Sequence, residues 1–192
     1  MRLGNDIVDR TATADHNPRF IDRILHPEEK SRRSSWTLDD PLLWIHWACK
    51  EAAYKAIRQS RDIPFHHREF ILTPDLSMIH YHQECLQLQI RQEDQAVFAL
   101  ATDAALKDCH SRIFAFDTER GTVTQSEKVR SILLDLATEI LQLPLHELTM
   151  TTAQRIPRIC HRGQVLPLPV SLTHHGRYVA ASFATPTSST RP

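Results

Sequence analysis

The chain has 192 residues, 41% hydrophobic and 24% charged, with 23 basic and 23 acidic side chains. That length buries a real core as one large domain or two small halves. Zero net charge leaves no footprint of a nucleic-acid or membrane-surface binder, and no apolar run approaches a membrane-spanning length.

Met1-Arg2-Leu3-Gly4 opens into a strand-like run, so no signal peptide is expected. The four cysteines (Cys49, Cys85, Cys109, Cys160) form no CxxC pair and read as reduced thiols of a cytoplasmic protein. The 12 histidines cluster at His66-His67, His80 with His82, and His174-His175. Neighbours on a strand point to opposite faces, so such pairs chelate poorly, and no HExxH or Cys/His ligand spacing occurs. A structural zinc site is not expected.

Leu3 to Val8 reads as a short strand. Asn17-Pro18 predicts a capped helix start, with Phe20, Ile21, Ile24 and Leu25 as its apolar stripe. Pro27-Glu28-Glu29 starts another short turn of helix. Asp40-Pro41 opens a longer one that carries Trp44 and runs to about Gln59. Phe70-Ile71-Leu72 is extended. A β-hairpin is expected between Cys85 and Thr102, where Leu86, Leu88 and Ile90 alternate and the pattern resumes at Ala96.

Ile113 to Phe116 is a further strand. Thr124-Gln125-Ser126-Glu127 has capping-box spacing, and Val129, Ile132, Leu133, Leu136, Ala137, Ile140 and Leu141 trace a 3.6-residue helical stripe. One strand is expected around Leu148 to Cys160. Leu168 to Thr173 and Tyr178 to Phe183 form a final hairpin turning at His174-His175-Gly176-Arg177. Strand, helix, strand and hairpin thus occur twice. The predicted fold is α+β, with two similar halves at 1–108 and 109–184 derived from an internal repeat, and a disordered Ser/Thr/Pro-rich tail at 185–192.

Trp47, Glu51 and Lys55 are four apart and share a helix face. A charge on such a stripe calls for compensation by a metal, a phosphate or a partner charge. An exposed Glu-Lys pair beside tryptophans is the plainer reading. Asp6 places a second carboxylate inside an apolar strand directly after Gly4-Asn5, and with Glu51 and Lys55 it would suit a hard cation and a phosphate. Alternation puts Val8 on the face of Asp6 and Asp9 on the other, so Asp9 is a doubtful ligand. Ser171 to Tyr178 concentrates hydroxyls, imidazoles and an arginine, which suits either an anion site or a polar surface turn.

Taken together, Gly4-Asn5-Asp6-Ile7, Trp47-x-x-Lys50-Glu51-Ala52-x-x-Lys55 and Ser171-Leu172-Thr173-His174 resemble the 4′-phosphopantetheinyl transferase family. Its signature is G-[IV]-D-[IV], then W-x-x-K-E-A-x-x-K on a helix, and an S-[IL]-[ST]-H turn. Arg19-Phe20-x-x-Arg23-Ile24-Leu25 with Glu28-Glu29 resembles the intervening segment of the short holo-acyl-carrier-protein synthases. Asn5 departs from the usual aliphatic residue, and Val8 stands where surfactin-synthetase-type members carry a second acid. The turn motif also lies in the second half here, after both metal motifs, instead of in the first. Each half keeps what the other lost, which implies one site at the interface of a pseudo-dimer.

The resemblance implies transfer of 4′-phosphopantetheine from coenzyme A to a serine of an acyl or peptidyl carrier protein, releasing adenosine 3′,5′-bisphosphate. It implies Mg²⁺ held by Asp6 and Glu51, with Glu51 as candidate base and Lys55 neutralising phosphate charge. Lys50, Thr173 and His174 become candidate phosphate contacts. Arg155 and Pro157 stand where surfactin-type members line the adenine. Arg19, Arg23, Arg32 and Arg33 fit either an acidic carrier helix or an ordinary solvated face. The two complementary halves favour a monomer. A lapsed paralogue that binds carrier or coenzyme A without transfer is the alternative left open by Asn5 and Val8.

Overall fold

The computed structural model describes residues 1–12, 19–115 and 124–186. The Asn17-Pro18 start, Phe116 and most of the Ser/Thr/Pro-rich tail lie outside these residues. Four helices are described: α1 (Arg19–Ile24), α2 (Pro27–Ser31), α3 (Pro41–Arg58) and α4 (Gln125–Leu141). The strands are β1 (Leu3–Asp9), β2 (Phe70–Leu72), β3 (Met78–Tyr81), β4 (Glu84–Glu93), β5 (Ala96–Thr102), β6 (Cys109–Ala115), β7 (Leu148–Ala153), β8 (Ile156–His161), β9 (Gln164–Val165), β10 (Val170–His175) and β11 (Tyr178–Ala184). The mixed composition agrees with the expected α+β class.

A five-stranded antiparallel sheet in the order β1-β5-β4-β3-β2 occupies the first half. Asp40 caps α3 by accepting a hydrogen bond from the Leu42 amide, with Pro41 at the first helical position. Leu43, Ala48, Ala52, Ala53, Ala56 and Ile57 of α3 are fully buried against sheet residues such as Phe70, Leu72, Ile79, Val97 and Ala99. Ala48, Ala52 and Ala56, four apart, form a small-residue stripe that lets α3 approach β1. Gly4 completes that approach: a Cβ there would lie 2.0 Å from the Ala52 carbonyl oxygen and 2.5 Å from the Ala56 nitrogen. Glycine is therefore dictated by contact, not by turn geometry.

The second half holds two three-stranded sheets, β10-β11-β6 and β7-β8-β9. The predicted capping box at Thr124 and Glu127 is formed on both sides, and α4 packs Leu133, Leu136 and Ala137 against Leu148, Ile159, Val179 and Phe183. A third apolar cluster joins the halves, with Leu3, Ile7, Phe98 and Leu100 meeting Tyr178, Ala180 and Ala184. That cluster explains why every residue of β5 is buried. One face packs under α3 and the other against β11.

Three expectations change. The single strand predicted around Leu148 to Cys160 is a hairpin, β7 paired with β8. Its turn residues Gln154 and Arg155 adopt φ of 52° and 65°, the left-handed pair of a two-residue turn, without the Asn or Gly that signals one. Strand β3 went unpredicted because His82, at φ 53°, makes its tight connection to β4 without a glycine. The final turn is also shorter than expected. His174 and His175 belong to β10, opposite Val179 and Tyr178, and Gly176 at φ 54° makes the turn.

Candidate active site

Strand β1 sends alternate side chains to opposite sides, and both sides carry polar side chains. Gly4, Asp6 and Val8 face α3, whereas Leu3, Asn5, Ile7 and Asp9 face the second half. One helical turn separates Glu51 from Lys55, so both project from one face of α3 into the cleft that Asp6 lines. Lys55 Nζ donates to Asp6 Oδ1 at 2.7 Å and to the Asn5 carbonyl oxygen at 3.1 Å.

The free edge of β1 is met by alternate residues of β10. Asn5 N donates to Ser171 Oγ at 2.9 Å, Thr173 Oγ1 donates to Asp6 Oδ1 at 2.9 Å, and Asp9 N donates to His175 Nδ1 at 3.0 Å. Ser171, Thr173 and His175 thus stitch the two halves together with period two. His174, on the opposite face of β10, is exposed. The first-half acid and the second-half turn motif are joined directly.

Asp6, Glu51, Lys55, Thr173 and His174 line one cleft of ≈ 320 Å³, with Trp47 on its wall. A neighbouring cleft of ≈ 230 Å³ shares Lys55 and Leu172 and adds Tyr54, Arg58, Arg155 and Pro157. Beyond it, a wider recess of ≈ 400 Å³ is lined by Arg58, Arg61, Arg155 and Arg158. Asp62 also lines this recess and pairs with Arg58, and Arg61 pairs with Glu84. Four guanidinium groups against one lining acid still leave the recess positive, one step away from the Asp6–Glu51 cleft and suited to an elongated anion.

Burial and the charge of Asp6 raise the Glu51 carboxyl to about 7, with Lys55 opposing them. Near neutral pH it is poised between acid and base. Among the described residues no group of three or more His, Cys, Asp or Glu side chains could hold a metal ion. Two carboxylates nonetheless match the donor set magnesium takes when phosphate oxygens and water complete its shell. Burial is the larger cause of the rise at Glu51, and a divalent cation would offset both that burial and the repulsion from Asp6.

The structure does not bring Lys50 to this cleft. Its Nζ is fully buried, donating to Glu29 Oε2 at 2.5 Å and to the Ile24 carbonyl oxygen at 2.7 Å. Burial outweighs the pull of Glu29 and lowers the ammonium to about 8. Glu29 in turn accepts from Leu72 N and His26 N. Lys50 therefore ties α1 and α2 to α3 and β2, because on the helix it points one residue away from the Glu51 face.

Asp9 is engaged too. Its Oδ2 accepts from Arg177 N at 3.0 Å and Nε at 2.9 Å, and its Oδ1 from Thr11 Oγ1 at 2.7 Å. Burial opposes ionisation there, but these donors hold the carboxyl well below the usual range. Asp9 thus lies on the face of β1 opposite Asp6, as strand alternation predicts.

Other contacts were invisible in sequence. Asn5 Nδ2 donates to Ser182 Oγ at 2.8 Å, and Ser182 shares a hydrogen bond with Ser111. The residue that departs from the motif thus joins β1 to the second sheet, and that departure was itself the available signal. Gln59 Nε2 donates to the Val170 carbonyl oxygen while its Oε1 accepts from Leu3 N. His67 lies 3.8 Å from Glu51 Oε1, with burial pushing its imidazole down to about 4. No motif pointed to it.

A family model described as the 4′-phosphopantetheinyl transferase superfamily matches residues 2–107. The match spans just over half of the chain and includes Asp6, Glu51 and Lys55, and it ends before β6. No curated protein sequence matches the chain. No described helix is long and apolar enough to cross a membrane.

Proposed function

The chain belongs to the 4′-phosphopantetheinyl transferase superfamily, and on that premise we propose that it moves 4′-phosphopantetheine from coenzyme A to a carrier-protein serine, releasing adenosine 3′,5′-bisphosphate. The observation that carries this reading is the meeting of Asp6, Glu51 and Lys55 with Thr173 and His174 in one cleft. They come from segments more than a hundred residues apart in one chain.

Asp6 and Glu51 are the proposed magnesium ligands. The ion, when bound, would neutralise pyrophosphate charge. Lys55, already on Asp6, holds a positive charge at the cleft, where the leaving phosphate would develop negative charge. Thr173 fixes Asp6, and His174 at the mouth is placed to meet a phosphate. Arg155 and Pro157 extend the groove towards the recess of arginines, in keeping with the nucleotide end of coenzyme A. Bond making joins the serine Oγ to the β-phosphorus as its bond to the leaving phosphate oxygen breaks. Glu51, or a water it holds, is the proposed acceptor of the serine proton. Catalysis of this kind depends mainly on positioning and charge.

The two halves also place their strands alike, β6 pairing with β11 as β1 pairs with β5. We read this as a duplicated unit, a pseudo-dimer whose single cleft needs no second chain. A monomer follows from that reading, and the four free cysteines are in keeping with a reducing, cytoplasmic setting. The test of function is to incubate the protein with coenzyme A, Mg²⁺ and a panel of apo carrier proteins from fatty-acid, polyketide and nonribosomal-peptide synthesis. A phosphopantetheine adduct on at least one carrier is expected. If coenzyme A binds and no carrier is modified, the lapsed-paralogue reading replaces this one.

A further inference from the structure

His67 begins a short 3-10 turn, His67–Glu69, between α3 and β2. Its Nε2 is buried with no hydrogen-bond partner among the described residues, 3.8 Å from Glu51 Oε1. Leaving a buried polar nitrogen unpaired is destabilising, because it gives up water without gaining a partner. The ring is held in place, its centroid 4.6 Å from that of Trp47 and 4.0 Å from that of Phe65. A phenylalanine would fill this slot without leaving a polar atom unpaired. The nitrogen is therefore the feature that needs an explanation, and it faces a carboxylate of the cleft.

We propose that His67 is a positioning residue for Glu51. In the Nε2–H tautomer its ring donates to Glu51 Oε1, fixing the carboxylate and leaving the other oxygen for the cleft. This rests on the reading of Glu51 as a metal ligand given above. The gap to be closed is roughly 1 Å, within reach of a small rotation of the glutamate chain. Lys55 cannot take this part, since its ammonium is already placed on Asp6, the Asn5 carbonyl and Thr173. Histidines and carboxylates around a metal are commonly oriented by such outer hydrogen bonds, whose loss costs about 10- to 100-fold in metal affinity or activity.

The test compares wild type with His67→Phe, which keeps the ring and removes the donor, and His67→Gln, which returns an N–H at similar reach. Mn²⁺ binding is titrated calorimetrically in the presence of coenzyme A, alongside thermal unfolding and kcat for carrier modification. His67→Phe should weaken Mn²⁺ binding by roughly 10-fold or more and lower kcat without lowering Tm, and His67→Gln should recover most of both. The exposed neighbour variant His66→Gln should match wild type. If His67→Phe does not fold, His67→Leu carries the same comparison. Unchanged Mn²⁺ affinity in the apolar variant overturns the proposal, as does a His67→Gln variant as impaired as His67→Phe. Absence of both Mn²⁺ binding and transfer in the wild type would instead sink the metal-site reading on which it rests.

Discussion

Thr173 Oγ1 and Asp6 Oδ1, 167 residues apart in the chain, are joined by a buried hydrogen bond of 2.9 Å. The same Asp6 oxygen accepts from Lys55. One carboxylate therefore fastens α3, β1 and β10 at a single point.

Thr173→Val keeps the shape and removes the donor. Stability should fall by about 1.5–3 kcal/mol, since the bond goes to a charged group. Asp6→Asn combined with Thr173→Val should lose less than the sum of the two changes, a coupling visible in a double-mutant cycle of urea unfolding. Additive losses would mean that the two side chains act independently.

Glu51 has a definite pH signature. Its carboxyl rises from the ordinary 4.5 to about 7 in the fold, so between those values the native state holds the proton more tightly than the unfolded chain. Its contribution to stability is present below pH 4.5 and is lost as pH rises through 7. Glu51→Gln removes the loss. Without divalent cations, the variant should therefore gain on wild type by about 2 kcal/mol between pH 5 and pH 8. Thermal melts across that range check the sign; a difference independent of pH would place Glu51 in open solvent.

Lys50 and Glu29 form a fully buried pair. Lys50→Met strands the Glu29 carboxylate, with an expected cost of about 3–5 kcal/mol, readable as a large drop in the urea midpoint. Any folded fraction should keep its affinity for coenzyme A, because the Lys50 ammonium never reaches the cleft. A stable Lys50→Met protein that has lost coenzyme A would return Lys50 to the site.

Asp9 should behave as a clamp for the hairpin tip. Its folded carboxyl lies below the ordinary 3.8, so its stabilisation is present above that pH and lost as pH falls further. Asp9→Asn should cost about 1–3 kcal/mol at pH 7 and leave the Mg²⁺ dependence of transfer unchanged. A marked shift in that dependence would make Asp9 a ligand after all.

Much of this was legible because local rules agreed. Asp40-Pro41, the Thr124–Glu127 box and the stripe from Val129 to Leu141 each carried a start signal and a period, and the helices formed where both were present. Helical spacing placed Glu51 and Lys55 together, and strand alternation separated Asp6 from Asp9. What failed was chemistry without a local signature. Gln154, Arg155 and His82 take left-handed turn positions that sequence assigns to Gly or Asn. Lys50 sits within a motif, but its partner Glu29 comes from another helix, and pairing across elements has no period to read. The links from Asn5 to Ser171 and Ser182, and the approach of His67 to Glu51, arise only when distant segments meet.

The most direct measurement of the central claim is the intact mass of an apo carrier protein after incubation with coenzyme A, Mg²⁺ and enzyme. Wild type should add one phosphopantetheine to the carrier, while Asp6→Ala and Glu51→Ala, each folded by circular dichroism, should add none. An unmodified carrier across the whole panel, or full modification by Glu51→Ala, would contradict it.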